Sequence, residues 1–308
     1  MWGFQLEPNV AEIIALVGPT ASGKTGLAIA IAQQLGNAEI INADAMQLYQ
    51  DMDIGTAKLS IDQMQSVPHH LLSVIAPTND ITAVEYRALF DQSVQEIQAR
   101  GNIPIVVGGS TLYLASALDE LEFAPTDPSL REKLEQESEQ VGALNMHERL
   151  RNLDPIAASK IPAANKRRVI RALEVITLSG KSFASSLPEP SYRRPCIQIG
   201  IDVDKEELNQ RIQIRVDQMW QNGLLEEAQS LLDRYGQLSA TAAVAIGYKQ
   251  AFTQLQGEIT EEQAKEETVF LTTRYAKKQR TWFYRDSRIS WLDSQQDLIG
   301  QAMKLIRL

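Results

Sequence analysis

Apolar residues along this chain come in two textures. Short apolar runs bounded by glycine or charge occur at Glu12–Val17 (EIIALV) and Ile103–Val107, with a shorter one at Glu39–Ile41, and Ile197–Val203 (IQIGIDV) also reads as strand. Runs of that length predict strands buried on both faces, as in a parallel sheet. Between them, apolar positions recur every three or four residues, the period of a helix with one buried stripe. Gly23–Leu35 is expected to be a helix stopped by Gly36, and Thr82 with Glu85 makes a capping box for a helix ending near Gly101. Strand, helix and strand in alternation predict an α/β fold with right-handed crossovers.

After Leu118 the pattern becomes helical throughout. Asp127-Pro128 predicts a helix start, and helical spacing continues through Leu130–Gln140, Asn145–Arg151 and Lys166–Leu178, where Ser179-Gly180 ends it. The Ser/Pro-rich segment Ser182–Pro195 reads as a linker before the strand at Ile197, and a last short strand is expected at Ile289–Leu292. The expected organisation is therefore a parallel-sheet core begun by residues 1–118, an all-helical insertion over 119–187, and residues 188–308 completing the core and adding C-terminal helices. No apolar run is long enough to span a bilayer and no signal-peptide pattern opens the chain, so no membrane association and a cytoplasmic location are expected.

Within this frame one motif carries chemistry. GPTASGKT (Gly18, Pro19, Thr20, Ala21, Ser22, Gly23, Lys24 and Thr25) meets the pattern G-x-x-x-x-G-K-[ST] between a strand and a helix, so the core is expected to be P-loop NTPase-like. Its backbone amides and the helix N-terminus cradle phosphate, Lys24 adds a point charge, and the Thr25 hydroxyl suits Mg²⁺. The loop alone does not say which phosphate compound it holds. Asp44 lies just past the carboxyl end of the neighbouring strand, where α/β folds place their chemistry; it could bind Mg²⁺, act as a base, or cap a turn. Asp53–Thr56 reads as a tight turn without a function of its own.

Composition removes other classes. The 308 residues are 44 % hydrophobic, enough for a sizeable core, and the single Cys196 excludes a disulfide framework or a cysteine zinc site. Of three histidines, the adjacent His69 and His70 are read as structural. A net charge of −9 argues against a nonspecific nucleic-acid coat, yet basic residues concentrate at Lys166–Arg171 and at Arg274–Arg288. In the second cluster Arg274, Lys277, Lys278, Thr281 and Arg285 fall on one side of a helix, with Tyr275, Trp282, Phe283 and Tyr284 free to stack on bases or to pack. Acids at the start of that helix and bases at its end are also what the macrodipole favours, so charge alone leaves the two readings even. Arg211 and Arg215, four apart, share a helix face and on spacing alone would be surface residues.

GPTASGKT, D-x-x-Q-x-Y-x-x-MDIGTAK, PHHLL, VGGS-x-x-Y, RRVIRALEV, the pair Arg211 and Arg215, GLLEE, IGYKQ and KKQRTWF occur in this order over residues 11 to 293. Together they resemble the tRNA dimethylallyltransferases (isopentenyltransferases). The resemblance implies transfer of a dimethylallyl group from dimethylallyl diphosphate to N6 of the adenosine 3′ of the anticodon, position 37, in tRNAs reading UNN codons, with Mg²⁺ as cofactor. It implies Asp44 as general base, Gly18–Thr25 as the diphosphate cradle with Thr25 toward the metal and Lys24 neutralising charge, and Arg215 gripping the diphosphate. Ser110 stands where many members carry Thr and keeps the hydroxyl near the reacting centre. The implied tRNA contacts are Asp44, Ala45, Met46 and Gln47; Ser110; Arg167, Arg168, Val169, Ile170 and Arg171; Ala245, Ile246, Gly247, Tyr248 and Lys249; and Lys277, Lys278, Gln279, Arg280, Thr281, Trp282, Phe283 and Tyr284. The helical insertion is expected to grip the anticodon stem, and the protein to be a monomer. Ala45, Ser73 and Asn165 depart from the common Ser, Asp and Asp. Two alternatives stand beside this reading: a P-loop small-molecule kinase using ATP, and a noncatalytic tRNA-binding protein.

Overall fold

The computed structural model describes residues 12–183 and 190–307; residues 184–189 of the expected linker, with the expected boundary at 187, lie outside the described residues. Six strands form one sheet, β1 (Ile13–Val17), β2 (Ala38–Asn42), β3 (His69–His70), β4 (Ile103–Gly108), β5 (Cys196–Asp202) and β6 (Ile289–Asp293), in the order β3-β2-β4-β1-β5-β6. Every pairing is parallel, as the unbroken apolar runs require. The core is the P-loop NTPase-like α/β fold expected from the sequence. Only β3 had no signal of its own; it is two residues long and pairs Ile40 with His69.

Side-chain alternation divides the core into two layers. Ile14 and Leu16 face one side, packed with α1 (Lys24–Leu35) and the later helices α8 (Lys205–Gln221), α9 (Leu224–Tyr235), α10 (Tyr248–Leu255), α11 (Glu261–Phe283) and α12 (Leu298–Ile306). Ile13, Ala15 and Val17 face the other, against α2 (Ala83–Ala99) and α3 (Thr111–Leu118). The punctuation works as expected: Gly36 ends α1 in the left-handed conformation, and Thr82 and Glu85 close the capping box of α2.

Residues Leu121–Ser191 form a separate compact unit, and residues up to Glu120 together with those from Tyr192 form the other. The elements among the described residues of the first are helices: α4 (Pro128–Val141), α5 (Ala143–Leu153), the short α6 (Pro155–Lys160), which the sequence pattern did not single out, and α7 (Lys166–Ser179). Its core gathers Leu134, Met146, Leu150, Val169, Ile170 and Leu173. Beneath α7 the Glu174 carboxylate receives Arg131 and Arg171. Burial alone would raise its pKa, but these hydrogen bonds win and hold it at about 2.

Candidate active site

The sheet order explains why the site exists. β2, β4 and β1 are neighbours, so the loops leaving their carboxyl ends (Asp44 onward, Gly108–Ser110 and Gly18–Gly23) meet at one edge. Close approach there demands glycine: a Cβ on Gly108 would sit 2.2 Å from the Ala43 carbonyl oxygen. Gly23, at φ +92°, turns the phosphate loop into α1, so the first helical residue is Lys24 rather than Gly23. The result is a cavity of about 250 Å³ whose wall includes Thr20, Lys24, Thr25, Asp44, Gln47, His69, Gly109, Arg215 and Gln279.

Lys24 is buried and donates from Nζ to the Pro19 carbonyl at 2.5 Å. Burial drives its pKa down to about 7; nearby Asp44 opposes that shift and Arg215 adds to it. Asp44 is held by a bracket of short-range bonds. Asn42 accepts the Asp44 amide through Oδ1 at 2.9 Å and donates to the Asp44 and Leu71 carbonyls, each at 3.0 Å. One Asp44 carboxylate oxygen accepts the Met46 amide at 2.9 Å. Burial raises the Asp44 pKa above the ordinary carboxylate range, against the opposing pull of that bond and of Lys24 and Arg215. A carboxyl so placed is a stronger base once ionised than an exposed one.

Both arginines of α8 reach the phosphate loop. Arg215 Nη1 donates to the Thr20 hydroxyl at 2.9 Å, and Arg211 Nη1 reaches the Ala21 carbonyl at 3.4 Å while pairing with Glu207. Ser110 Oγ accepts the Ala45 amide at 2.9 Å, tying the loop after β4 to the one after β2. The Ala45 departure therefore leaves this bond intact, since it uses the backbone. Asn165 likewise caps α7 through the Arg168 amide, and Ser73 accepts a hydrogen bond from Lys58.

The expected RNA-contacting stretches separate into exposed and inward-facing members. Arg167, Arg168, Lys249, Lys277, Lys278, Thr281, Trp282 and Tyr284 are exposed, whereas Val169, Ile170, Ala245, Gly247, Tyr248, Gln279 and Phe283 are buried, and Ile246 is half-buried. Arg280 pairs with Asp202 and Arg171 with Glu174, so part of the charge is neutralised internally. α11 ends at Phe283, which leaves Arg285 in the turn beyond it rather than on the helix. Lys166, Arg167 and Arg168 fill the first turn of α7, the end at which the macrodipole disfavours cations. That placement is the opposite of α11, and only Lys166 of the three has an ion-pair partner among the described residues, Glu139 at 3.7 Å.

Several supporting contacts had no sequence signal for their partners. The turn Asp53–Gly55 aims its amides at Glu227 of α9, with Ile54 N at 2.9 Å from Oε2, and Tyr248 donates its hydroxyl to the same carboxylate. The opposite side of that turn supplies the Thr56 carbonyl to Gln47 Nε2 at 3.0 Å. Tyr275 is 39 % exposed yet buries its hydroxyl end among Ser110 and Gln279, and burial pushes its pKa up to about 12. His70 bonds Glu39 at 2.6 Å, while His69 bonds the Val67 carbonyl through Nδ1 and lines the cavity.

The profile of the family described as IPP transferase matches residues 47–286. A tRNA dimethylallyltransferase of Salinispora tropica is 46 % identical over 296 residues, covering 96 % of this chain and 92 % of that protein. That of Thermobifida fusca is 46 % identical over 302 residues, covering 96 % and 95 %. Among solved structures, the tRNA isopentenylpyrophosphate transferase of Bacillus halodurans superposes with a TM-score of 0.70 at 35 % identity, covering 96 % of this chain and 94 % of that one. A eukaryotic dimethylallyltransferase acting on tRNA gives 0.78 at 26 % identity, covering 95 % and 77 %.

Proposed function

This chain belongs to the IPP transferase family and is a tRNA dimethylallyltransferase, and from that premise we propose how its own residues divide the work. The donor is dimethylallyl diphosphate and the acceptor is N6 of the adenosine 3′ of the anticodon, position 37, in tRNAs reading UNN codons. The C1–O bond to the diphosphate breaks as the C1–N6 bond forms, the amine proton passes to Asp44, and pyrophosphate leaves. The observation that carries this is one cavity walled by Lys24, Asp44 and Arg215, with anion-binding groups beside a single carboxylate of raised pKa.

Each residue's task follows from the electronics. An adenine amine is a weak nucleophile, whereas an allylic carbon tolerates positive charge as its leaving group departs. Positioning and charge neutralisation therefore matter more than activation of the amine. The amides of Gly18–Thr25, protonated Lys24 and Arg215 bind the diphosphate; Asp44 accepts the proton; Ser110 holds the Asp44 loop through the Ala45 amide. Thr25, which lines the cavity at the start of α1, would hold Mg²⁺ through its hydroxyl. Among the described residues no group of three or more His, Cys, Asp or Glu could cage a metal, as suits an ion held mostly by substrate phosphates and water. When bound, the ion would neutralise the leaving pyrophosphate.

The target base must leave its loop stack to reach the cavity. Exposed Lys166–Arg168 of the helical insertion, and Lys277, Lys278 and Trp282 of α11, are the proposed RNA contacts. Among the described residues no helix is long and apolar enough to cross a membrane; a cytoplasmic monomer is proposed. Neither a kinase nor a noncatalytic tRNA-binding protein is favoured by the relatives. Incubating unmodified tRNA with labelled dimethylallyl diphosphate and Mg²⁺, beside an ATP control, tests the reading: label retained in tRNA is expected, and ATP consumption without transfer would refute it.

A further inference from the structure

Gln279 sits on the inward face of α11 and is 3 % exposed. Its carboxamide makes two long-range bonds at once. Oε1 accepts the Thr20 amide at 2.9 Å, and Nε2 donates to the Gly109 carbonyl at 2.8 Å. Only this orientation serves both partners, since a backbone N–H cannot accept and a carbonyl cannot donate. The surroundings are shaped to it: a Cβ on Gly109 would come within 2.3 Å of Gln279 Nε2. Thr20 is thereby held twice, by its amide to Gln279 and by its hydroxyl from Arg215. Lys277, Lys278 and Thr281, which surround Gln279 in sequence, are exposed while it is not.

We propose that Gln279 is a positioning residue for the diphosphate and not an RNA contact, despite lying in a stretch expected to touch RNA. By locking Thr20 against Gly109 it fixes the shape of the phosphate loop and the direction from which Arg215 enters. This rests on the reading of Gly18–Thr25 as a diphosphate cradle. Removing the carboxamide leaves the part-buried Thr20 amide and the buried Gly109 carbonyl without this partner, and the loop must shift to recover one.

The test titrates the full-length protein with inorganic pyrophosphate plus Mg²⁺, and separately with an unmodified anticodon stem-loop RNA. Gln279→Met, of similar volume, is expected to weaken pyrophosphate binding roughly tenfold while leaving RNA affinity within about twofold. Combined with Arg215→Lys the losses should be less than additive, because both residues act through Thr20. Gln279→Asn, with the same groups on a shorter arm, gives the same ordering should the Met variant fold poorly. Unchanged pyrophosphate affinity, or a loss confined to RNA affinity, overturns the inference. Lys24→Ala separates the two layers of the argument. If the wild type binds pyrophosphate no better than this variant, the cradle reading fails and the inference falls with it. If the wild type binds better and Gln279→Met binds equally well, the inference alone fails.

Discussion

Arg215 donates from Nη1 to the hydroxyl of Thr20 at 2.9 Å, so a guanidinium carried on α8 enters a loop 195 residues earlier in the chain. Burial lowers its pKa, Asp44 raises it, and a guanidinium stays charged throughout the working range. The loop's own cation, Lys24, is of a different kind: its charge depends on pH near neutrality. The site thus joins one permanent and one conditional positive charge around a single carboxylate.

Asp44→Ala is expected to lower transfer to tRNA by about 10²–10⁴-fold. Pyrophosphate binding should be retained or tightened, because a nearby negative charge is removed. Single-turnover transfer and pyrophosphate titration check the two halves; near-normal transfer would withdraw the base assignment.

The acid limb of kcat/KM follows from the raised Asp44 pKa. As the proposed base, Asp44 must be deprotonated, so activity should fall as pH drops through a value above the ordinary aspartate figure of about 4. A pH profile of wild type shows the limb. An inflection at or below the ordinary value would mean burial is not setting it.

Lys24 is held at about 7, so at pH 8 most of it is neutral in the free protein. An arriving diphosphate favours the charged form and should draw a proton from solvent. Calorimetric titration with pyrophosphate at pH 8, in buffers of different ionisation enthalpy, is expected to report proton uptake that disappears at pH 6 and in Lys24→Met.

Charges at the start of α7 make a trade-off visible. Arg167→Glu places an acid where the macrodipole favours one and should stabilise the helix by about 0.3–1 kcal/mol. The same change should weaken stem-loop RNA binding and flatten its salt dependence. Thermal unfolding and binding across a salt series read the two effects. A variant that loses stability and keeps its RNA affinity would assign Arg167 to packing instead.

Glu39, which is not in the cavity wall, offers a control. Its pKa is held at about 2, first by the Arg100 hydrogen bond and then, against the opposing effect of burial, by Asn102 and His70. A depressed carboxylate stabilises the fold above its unfolded pKa, near 4.3, and loses that contribution as pH falls toward 2. Glu39→Gln should therefore cost roughly 2–3 kcal/mol at pH 7 and progressively less below pH 4 in denaturant unfolding. A cost independent of pH would refute the ionic account.

What the sequence determined by itself is what depends on short-range geometry. Apolar runs, capping boxes and the glycines at 23 and 36 specify strands, helix ends and the phosphate loop, because each is decided within a few residues. Asp44 was visible as a carboxylate at a strand end, and the ordered motifs carried the family resemblance. The tertiary structure decided which of these residues meet. Arg215 is a surface arginine by spacing and a loop ligand by packing. Gln279 belongs to a basic stretch by sequence and to the phosphate loop by its bonds, and the Asp53–Gly55 turn acquires its partner from Glu227 of α9. None of these pairings has a local signature, because they span from 170 to 259 residues and arise only when the parallel sheet brings its carboxyl ends side by side. A helix pattern specifies that one face is buried; what that face is buried against is settled by the strand order.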